Sequence, residues 1–178
     1  PILENGLNCS IYILLITSSP GYSKSVFLSV PLFYRYFVVN KMHKPMKIIH
    51  TSDWHLGQEF YSYDRTEEHE SFLCQLRSIV EEEQPDALVI SGDIYHNATP
   101  SNTVMRLFSD HLDSIRQACP DMLIVVIAGN HDSASRLEIS STIWAHLNVH
   151  IIGRIERNQE GEIDFRRHII PIQDKGYI

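Results

Sequence analysis

Cysteine does not organise this chain. It has three in 178 residues, at positions 9, 74 and 119. The number is odd and no C-x-x-C occurs, so neither a disulfide framework nor a thiolate zinc site is indicated. Cys74 and Cys119 read as reduced helix residues of a cytosolic, cytoplasmic protein. Long apolar runs are also missing. Two bursts, 11–16 and 26–39, are separated by Pro20, Gly21 and Lys24, and Pro31 and Arg35 interrupt the second. Neither reaches the ~20 residues that span a bilayer, and the order of features is wrong for a signal peptide, so no membrane partner is expected. Basic charge is scarce, with 15 Lys and Arg against 22 Asp and Glu for a net charge of -7. Residues 1–45 carry four basic residues and one acidic, which leaves residues 46–178 at -10. That is a poor footprint for a stand-alone nucleic-acid binder, and it suits a site that gathers carboxylates around cations. The chain has no G-x-G-x-x-G after its first strand, no G-x-x-x-x-G-K-[ST] and no G-x-S-x-G. Dinucleotide, P-loop and serine-hydrolase templates are thereby set aside.

What is present is an ordinary globular composition, 43% hydrophobic and 21% charged, in a length that suits one domain with a sizeable core. The first 45 residues do not match the rest. The expectation is that 1–45 is a leader outside the native fold, with translation starting at Met42 or Met46 and the domain occupying 46–178. The rival reading is a membrane-associating leader.

The chain from residue 46 is built around three strand ends. Residues 47–50 read as a short buried strand that stops at Asp53-Trp54-His55. Ala87–Ser91 reads as a second, followed by Gly92-Asp93-Ile94-Tyr95-His96, and 123–128 as a third, followed by Gly129-Asn130-His131-Asp132. Continuous apolar runs suit strands covered on both faces, and ligands of open α/β sheets bind beyond the carboxyl ends of the strands. A single Gly-Asp or Asp-x-His is an ordinary turn. Three in succession, spaced by helix-length segments, form a pattern.

Those segments are legible. Asp64 and Glu67 resemble a capping box for a helix reaching about Glu82, with Phe72, Leu73, Leu76, Ile79 and Val80 on one face. Ser101 suits the N-cap of a helix to about Ala118, with Val104, Leu107, Phe108, Leu112 and Ile115 inward. Ser135 and Glu138 suggest a third helix to about Leu147. Val149–Ile152 reads as a fourth strand, 154–161 as a charged turn and 163–172 as a further strand. The order β-α-β-α-β-α-β-β predicts a parallel α/β sheet with covering helices.

Asp53, His55, Asp93 and Asn130 offer a mixed oxygen and nitrogen donor set that favours Mn, Fe or Zn over Ca, with two ions plausible if Asp93 bridges them. Two ions would clamp a phosphate ester for in-line attack. His131 is placed to protonate a leaving oxygen or to steady the phosphorane, and His96 could do either job or be an ordinary loop histidine. Asp132 is expected to orient His131 or to cap the next turn.

These motifs resemble the first three of the calcineurin-like metallophosphoesterases. The runs His50-Thr51-Ser52-Asp53-Trp54-His55-Leu56-Gly57, Gly92-Asp93-Ile94-Tyr95 and Ala128-Gly129-Asn130-His131-Asp132-Ser133 resemble the SbcD family of bacterial nuclease subunits within them. The resemblance covers about residues 46–172. It implies an α/β/β/α sandwich and two divalent ions, Mn2+ first among candidates. It implies double-strand exonuclease and single-strand endonuclease activity on DNA, in repair and recombination. It implies a coiled-coil ATPase partner of the SbcC type and a homodimer within a heterotetramer, with the helix after Ser101 as the candidate dimer surface. By position Asp53 and His55 would serve one ion, Asp93 both and Asn130 the other, with His131 catalytic. At His96 many bacterial members carry Asp, so His96 carries over only as a second phosphate-facing candidate. The family completes its site with a later Gly-His and Gly-His-x-His. Here the histidines after Asp132 follow Ala145, Val149 and Arg167, so none matches. The resemblance therefore predicts an N-terminal fragment, with an incomplete sandwich and no nuclease activity of its own. Two alternatives stand beside it: another phosphodiesterase or phosphatase of the superfamily, and a non-catalytic module that keeps only interaction surfaces.

Overall fold

The computed structural model describes residues 11–15, 26–30, 46–172 and 176–178. The two early apolar bursts yield β1 (Ile11–Leu15) and β2 (Val26–Val30), an antiparallel pair in which Ile11 faces Val30. From Ile48 the order is β3 (Ile48–Ser52), a small hairpin of β4 (Glu59–Phe60) and β5 (Tyr63–Asp64), α1 (Thr66–Glu83), β6 (Ala87–Ser91), α2 (Asn102–Ala118) and β7 (Leu123–Ile127). Two short helices, α3 (Ala134–Leu137) and α4 (Ser141–Ala145), then lead to β8 (Val149–Ile152), and β9 (Pro171–Ile172) pairs antiparallel with β10 (Gly176–Tyr177).

Strands β3, β6, β7 and β8 form one parallel sheet in the order β3-β6-β7-β8, in the α/β class the sequence predicts. Parallel neighbours need a crossover, and α1 and α2 supply the first two. Both helices pack on the same face. Leu73, Leu76 and Val80 of α1 and Phe108, Leu112 and Ile115 of α2 close over Ile49, Leu88, Ile90, Ile124 and Val126. Each fully buried aliphatic side chain there contributes about 2 kcal/mol. The opposite face carries a smaller cluster, in which Ala87, Leu123, Val125 and Ile152 meet Ile170 and Ile172.

The helix ends show how the chain is punctuated. The Ser101 hydroxyl accepts from Val104 N at 3.3 Å, the expected N-cap of α2. The capping box at α1 does not form. Arg65 is its N-cap, and the Asp64 carboxylate instead accepts from Thr66 N at 2.8 Å and Thr66 Oγ1 at 2.6 Å, a local Asx-type turn. The α1 helix ends where Gln84 takes a left-handed φ of 43° just before Pro85. The predicted third helix is broken into α3, a 3-10 turn at Glu138–Ser140, and α4. The capping box expected there is replaced: Glu138 accepts from Gly153 N at 2.9 Å and Arg154 Nε at 3.0 Å, so a bond to the end of β8 displaces the local cap. The predicted strand over 163–172 survives only as β9. Asp164 caps a 3-10 turn at Phe165–His168 by accepting from Arg166 N at 3.1 Å, which turns that segment away from extended geometry.

Candidate metal centre

All three chemical loops leave the sheet at the carboxyl ends of adjacent strands β3, β6 and β7. The loops after β3 and β6 continue the ladder beyond the strands. His55 N donates to Asp93 O at 2.9 Å, Leu56 N to Ile94 O at 2.9 Å, and His96 N to Leu56 O at 3.0 Å. Trp54 anchors the first loop. Its ring is buried against Phe72 and Phe108 (centroids 5.7 and 6.2 Å), and its Nε1 donates to buried Thr51 Oγ1 at 3.0 Å. With Trp54 fixed inward, its neighbours Asp53 and His55 stay at the strand edge, the first exposed and the second half-buried.

The backbone here is unusual. Asp53, His55 and Asp93 all have positive φ, 55°, 47° and 34°, and Gly92 has 81°. Non-glycine residues in that region cost of order 1–3 kcal/mol each and cluster at functional sites. The third loop comes close enough to need glycine. A Cβ on Gly129 would fall on Asp93 N and Oδ1 and lie 2.8 Å from its Cγ.

Asp53, His55 and Asp93 present donor atoms within 4.8 Å of one another, and so do His55, His96 and His131. His55 belongs to both groups, so the two positions adjoin. Its Nε2 lies 3.7 Å from Asp93 Oδ2. The rings of His55 and His131 meet edge to face at 5.1 Å, and His96 stands 5.7 and 5.9 Å from them. Burial pushes the His96 imidazole below its ordinary range, and His55 and His131 push it further the same way. Asn130 sits exposed on the loop after β7, directly before His131. All six predicted site residues therefore occupy one end of the sheet, and five of them form the two donor groups.

The donor chemistry fits a divalent cation of intermediate hardness: carboxylate oxygens with imidazole nitrogens, partly sheltered. His55 Nδ1 and His96 Nδ1 are buried without a hydrogen-bond partner among the described residues, as befits rings whose orientation serves something besides the fold.

Asp132 corrects the sequence reading. Its carboxylate does not orient His131 or cap the next turn. It accepts from Gly129 N at 2.8 Å, Ile94 N at 3.0 Å and Tyr95 N at 2.8 Å, fastening the β6 loop to the β7 loop. His131 is oriented instead by the His96 carbonyl, to which its Nδ1 donates at 2.8 Å. That leaves Nε2 as the atom able to carry a transferable proton. Sequence reasoning missed this carbonyl because a backbone acceptor leaves no trace in residue type. It also missed His69, which reads as one polar position on a helix and is 2% exposed.

Residues 46–169 match the model of the calcineurin-like phosphoesterase family. The chain is similar to the SbcD subunit of the SbcCD nuclease of Rhodobacter capsulatus, 40% identical over 130 residues, which are 73% of this chain and 32% of that protein. It is similar to the protein of the same name from Escherichia coli K12, 39% identical over 107 residues (60% of this chain, 26% of that one). The Bacillus subtilis protein of that name is 39% identical over 110 residues (61% and 27%). The chain thus spans about a third or less of the length of these relatives. A family match over most of the chain, on a sheet edge where Asp53, His55, Asp93 and His131 converge, places this chain in the calcineurin-like phosphoesterase family.

Proposed function

We propose that the chain is a segment of a metal-dependent DNA nuclease subunit that hydrolyses phosphodiester bonds, as a double-strand exonuclease and single-strand endonuclease, in repair and recombination. The single observation that carries this reading is the name its relatives share, that of a nuclease subunit, on a chain whose three matching loops form one donor cluster. The partners that follow are DNA, a coiled-coil ATPase of the SbcC type and a second copy of the chain within a heterotetramer, in the cytoplasm. No helix among the described residues is long and apolar enough to cross a membrane. The domain proposed spans residues 46–178, with 1–45 outside it, and the family match beginning at 46 supports this. A chain begun at Met46 should keep its melting temperature, and a loss of cooperative unfolding would contradict the boundary.

Asp53 and His55 would hold one ion, Asn130 the other, and Asp93 both, with Mn2+ the ion proposed. When bound, such ions supply charge neutralisation and Lewis acidity at the phosphate. The chain's own residues do the rest. His131, its Nδ1 committed to the His96 carbonyl, holds a proton at Nε2 for the leaving oxygen. His96 stands beside it facing the same space, as a second phosphate contact. A smaller phosphodiester or phosphomonoester remains the alternative substrate, favoured only by the acidic surface.

The test is cleavage of duplex and single-stranded DNA with Mn2+ by the full-length product of the encoding gene. Asp93→Asn should abolish cleavage and remove both ions by calorimetric titration, while Asn130→Ala should weaken mainly one. Equal, single-ion losses would refute the bridging role of Asp93. Turnover of small phosphodiesters with intact DNA would favour the alternative.

A further inference from the structure

Among the described residues, His69 is the one fully enclosed imidazole near the site that the proposed chemistry does not use. It lies in the first turn of α1, 2% exposed, and neither ring nitrogen has a hydrogen-bond partner among the described residues. A buried polar nitrogen left bare costs about 1–3 kcal/mol, so two on one ring call for an explanation. The surroundings supply one. Arg65, one turn earlier and 6% exposed, donates from Nη1 to Gln58 Oε1 at 2.7 Å. Gln58 N donates to His55 O at 3.0 Å, so this end of α1 is tied to the loop that carries His55. His55 has a complementary need. Its Nε2 faces Asp93 Oδ2, while its Nδ1 is buried and bare. A metal-ligating imidazole almost always has its other nitrogen hydrogen-bonded, which fixes tautomer and ring orientation.

We propose that His69 is a positioning residue for His55, linked to His55 Nδ1 through one buried water. The inference rests on the metal-centre reading given above. Water suits the role because it both donates and accepts, and buried water characteristically satisfies polar atoms otherwise left without partners. The surroundings keep His69 neutral, hence able to accept at one nitrogen and donate at the other. Burial lowers its proton affinity, Arg65 adds to this, Glu68 and Asp64 oppose it, and His55 lowers it further. The role is orientation and not ligation, since His69 belongs to neither donor group.

The experiment is calorimetric titration of the full-length product of the encoding gene with Mn2+, for the wild type, His69→Phe and His69→Gln. Phenylalanine keeps the ring volume and removes the polar atoms, and glutamine returns a donor and an acceptor. Loss of an outer partner commonly weakens metal binding by about 10–100-fold. That loss is expected for His69→Phe, with His69→Gln recovering most of it even where the two melt at the same temperature. Nitrogen NMR of the Zn2+-loaded wild type should show His55 protonated at Nδ1, with slow exchange and a cross-peak to bound water. This readout needs no variant to fold. Unchanged Mn2+ affinity in a folded His69→Phe chain, or a rapidly exchanging His55 Nδ1 proton in the wild type, overturns this inference alone. A full-length wild-type protein that binds neither Mn2+ nor Zn2+ overturns the metal-centre reading and this inference with it.

Discussion

The backbone N–H of His131 donates to Asp93 Oδ1 at 2.9 Å, across the gap between the β6 and β7 loops. One oxygen of the central carboxylate is therefore engaged by the loop that carries the proposed acid. Oδ2 is left facing His55. The separation between proposed acid and proposed metal position is set by one short bond and not by two independent loops.

Gly129 makes that bond possible, because any Cβ there would occupy the space of Asp93 N and Oδ1. Gly129→Ala should destabilise the fold by about 1–3 kcal/mol, the usual range for overpacking. It should also weaken Mn2+ binding by displacing Asp93. Urea denaturation and metal titration check the two effects together. Wild-type values in both would mean that the loop moves aside freely.

Asp132 should matter to stability more than its position on a half-exposed turn suggests. Asp132→Ala removes the acceptor of three backbone N–H groups, two of them on buried residues, Ile94 and Tyr95. A loss of about 3 kcal/mol is expected, since bonds to a charged acceptor are worth about 1.5–3 kcal/mol each and neighbouring losses do not add fully. The denaturation midpoint measures it, and a shift below about half a kcal/mol would show that other acceptors replace the carboxylate.

His131→Ala in the full-length protein should lower DNA cleavage by about 10²–10⁴ while metal content stays near wild type. The reason is the division of labour at its ring, with Nδ1 on the His96 carbonyl and Nε2 left for proton transfer. Metal analysis of the purified variant decides: a parallel fall in bound manganese would make His131 a ligand.

Stability of the metal-free chain should decline on mild acidification. His69, His96 and His150 all hold protons less tightly than their ordinary 6.5, in each case mainly through burial. The unfolded chain therefore binds protons at these rings at higher pH than the folded chain does. Stability is complete above about pH 7.5 and falls as pH drops below about 6.5 towards the lower folded values. Carboxylates with lowered proton affinity, Asp64 and Asp164 (the latter about 2), act only at still lower pH. Denaturant melts from about pH 5 to about pH 8 in chelator test this, and His150→Gln should reduce the slope. A flat profile over that range would contradict it.

The sheet was legible because its information is local. Ala87–Ser91 and Val149–Ile152 are mostly apolar, carry Val and Ile and are bounded by breakers, and they form strands with those limits. The placement of the candidate site at the strand ends was legible for the same reason, since each loop begins where an apolar run stops. What failed was decided at a distance. Glu138 is an adequate capping residue by sequence, yet Gly153 N and Arg154 offer it a better tertiary partner. Asp132 reads as a turn residue, and only the folded chain brings Ile94 and Tyr95 to it. The strand expected over 163–172 is the exception, lost to a local cap that Asp164 makes within two residues of itself.

The left-handed backbone at Asp53, His55 and Asp93 bears on how the protein could be improved or ruined. Glycine adopts such φ values without steric cost. A library sorted only for survival at high temperature, without metal, would accumulate glycine at position 55 and discard the proposed ligand. The most heat-resistant descendants of this chain would be those that had forgotten the cation, so any engineering of it must select for tolerance and binding in the same step.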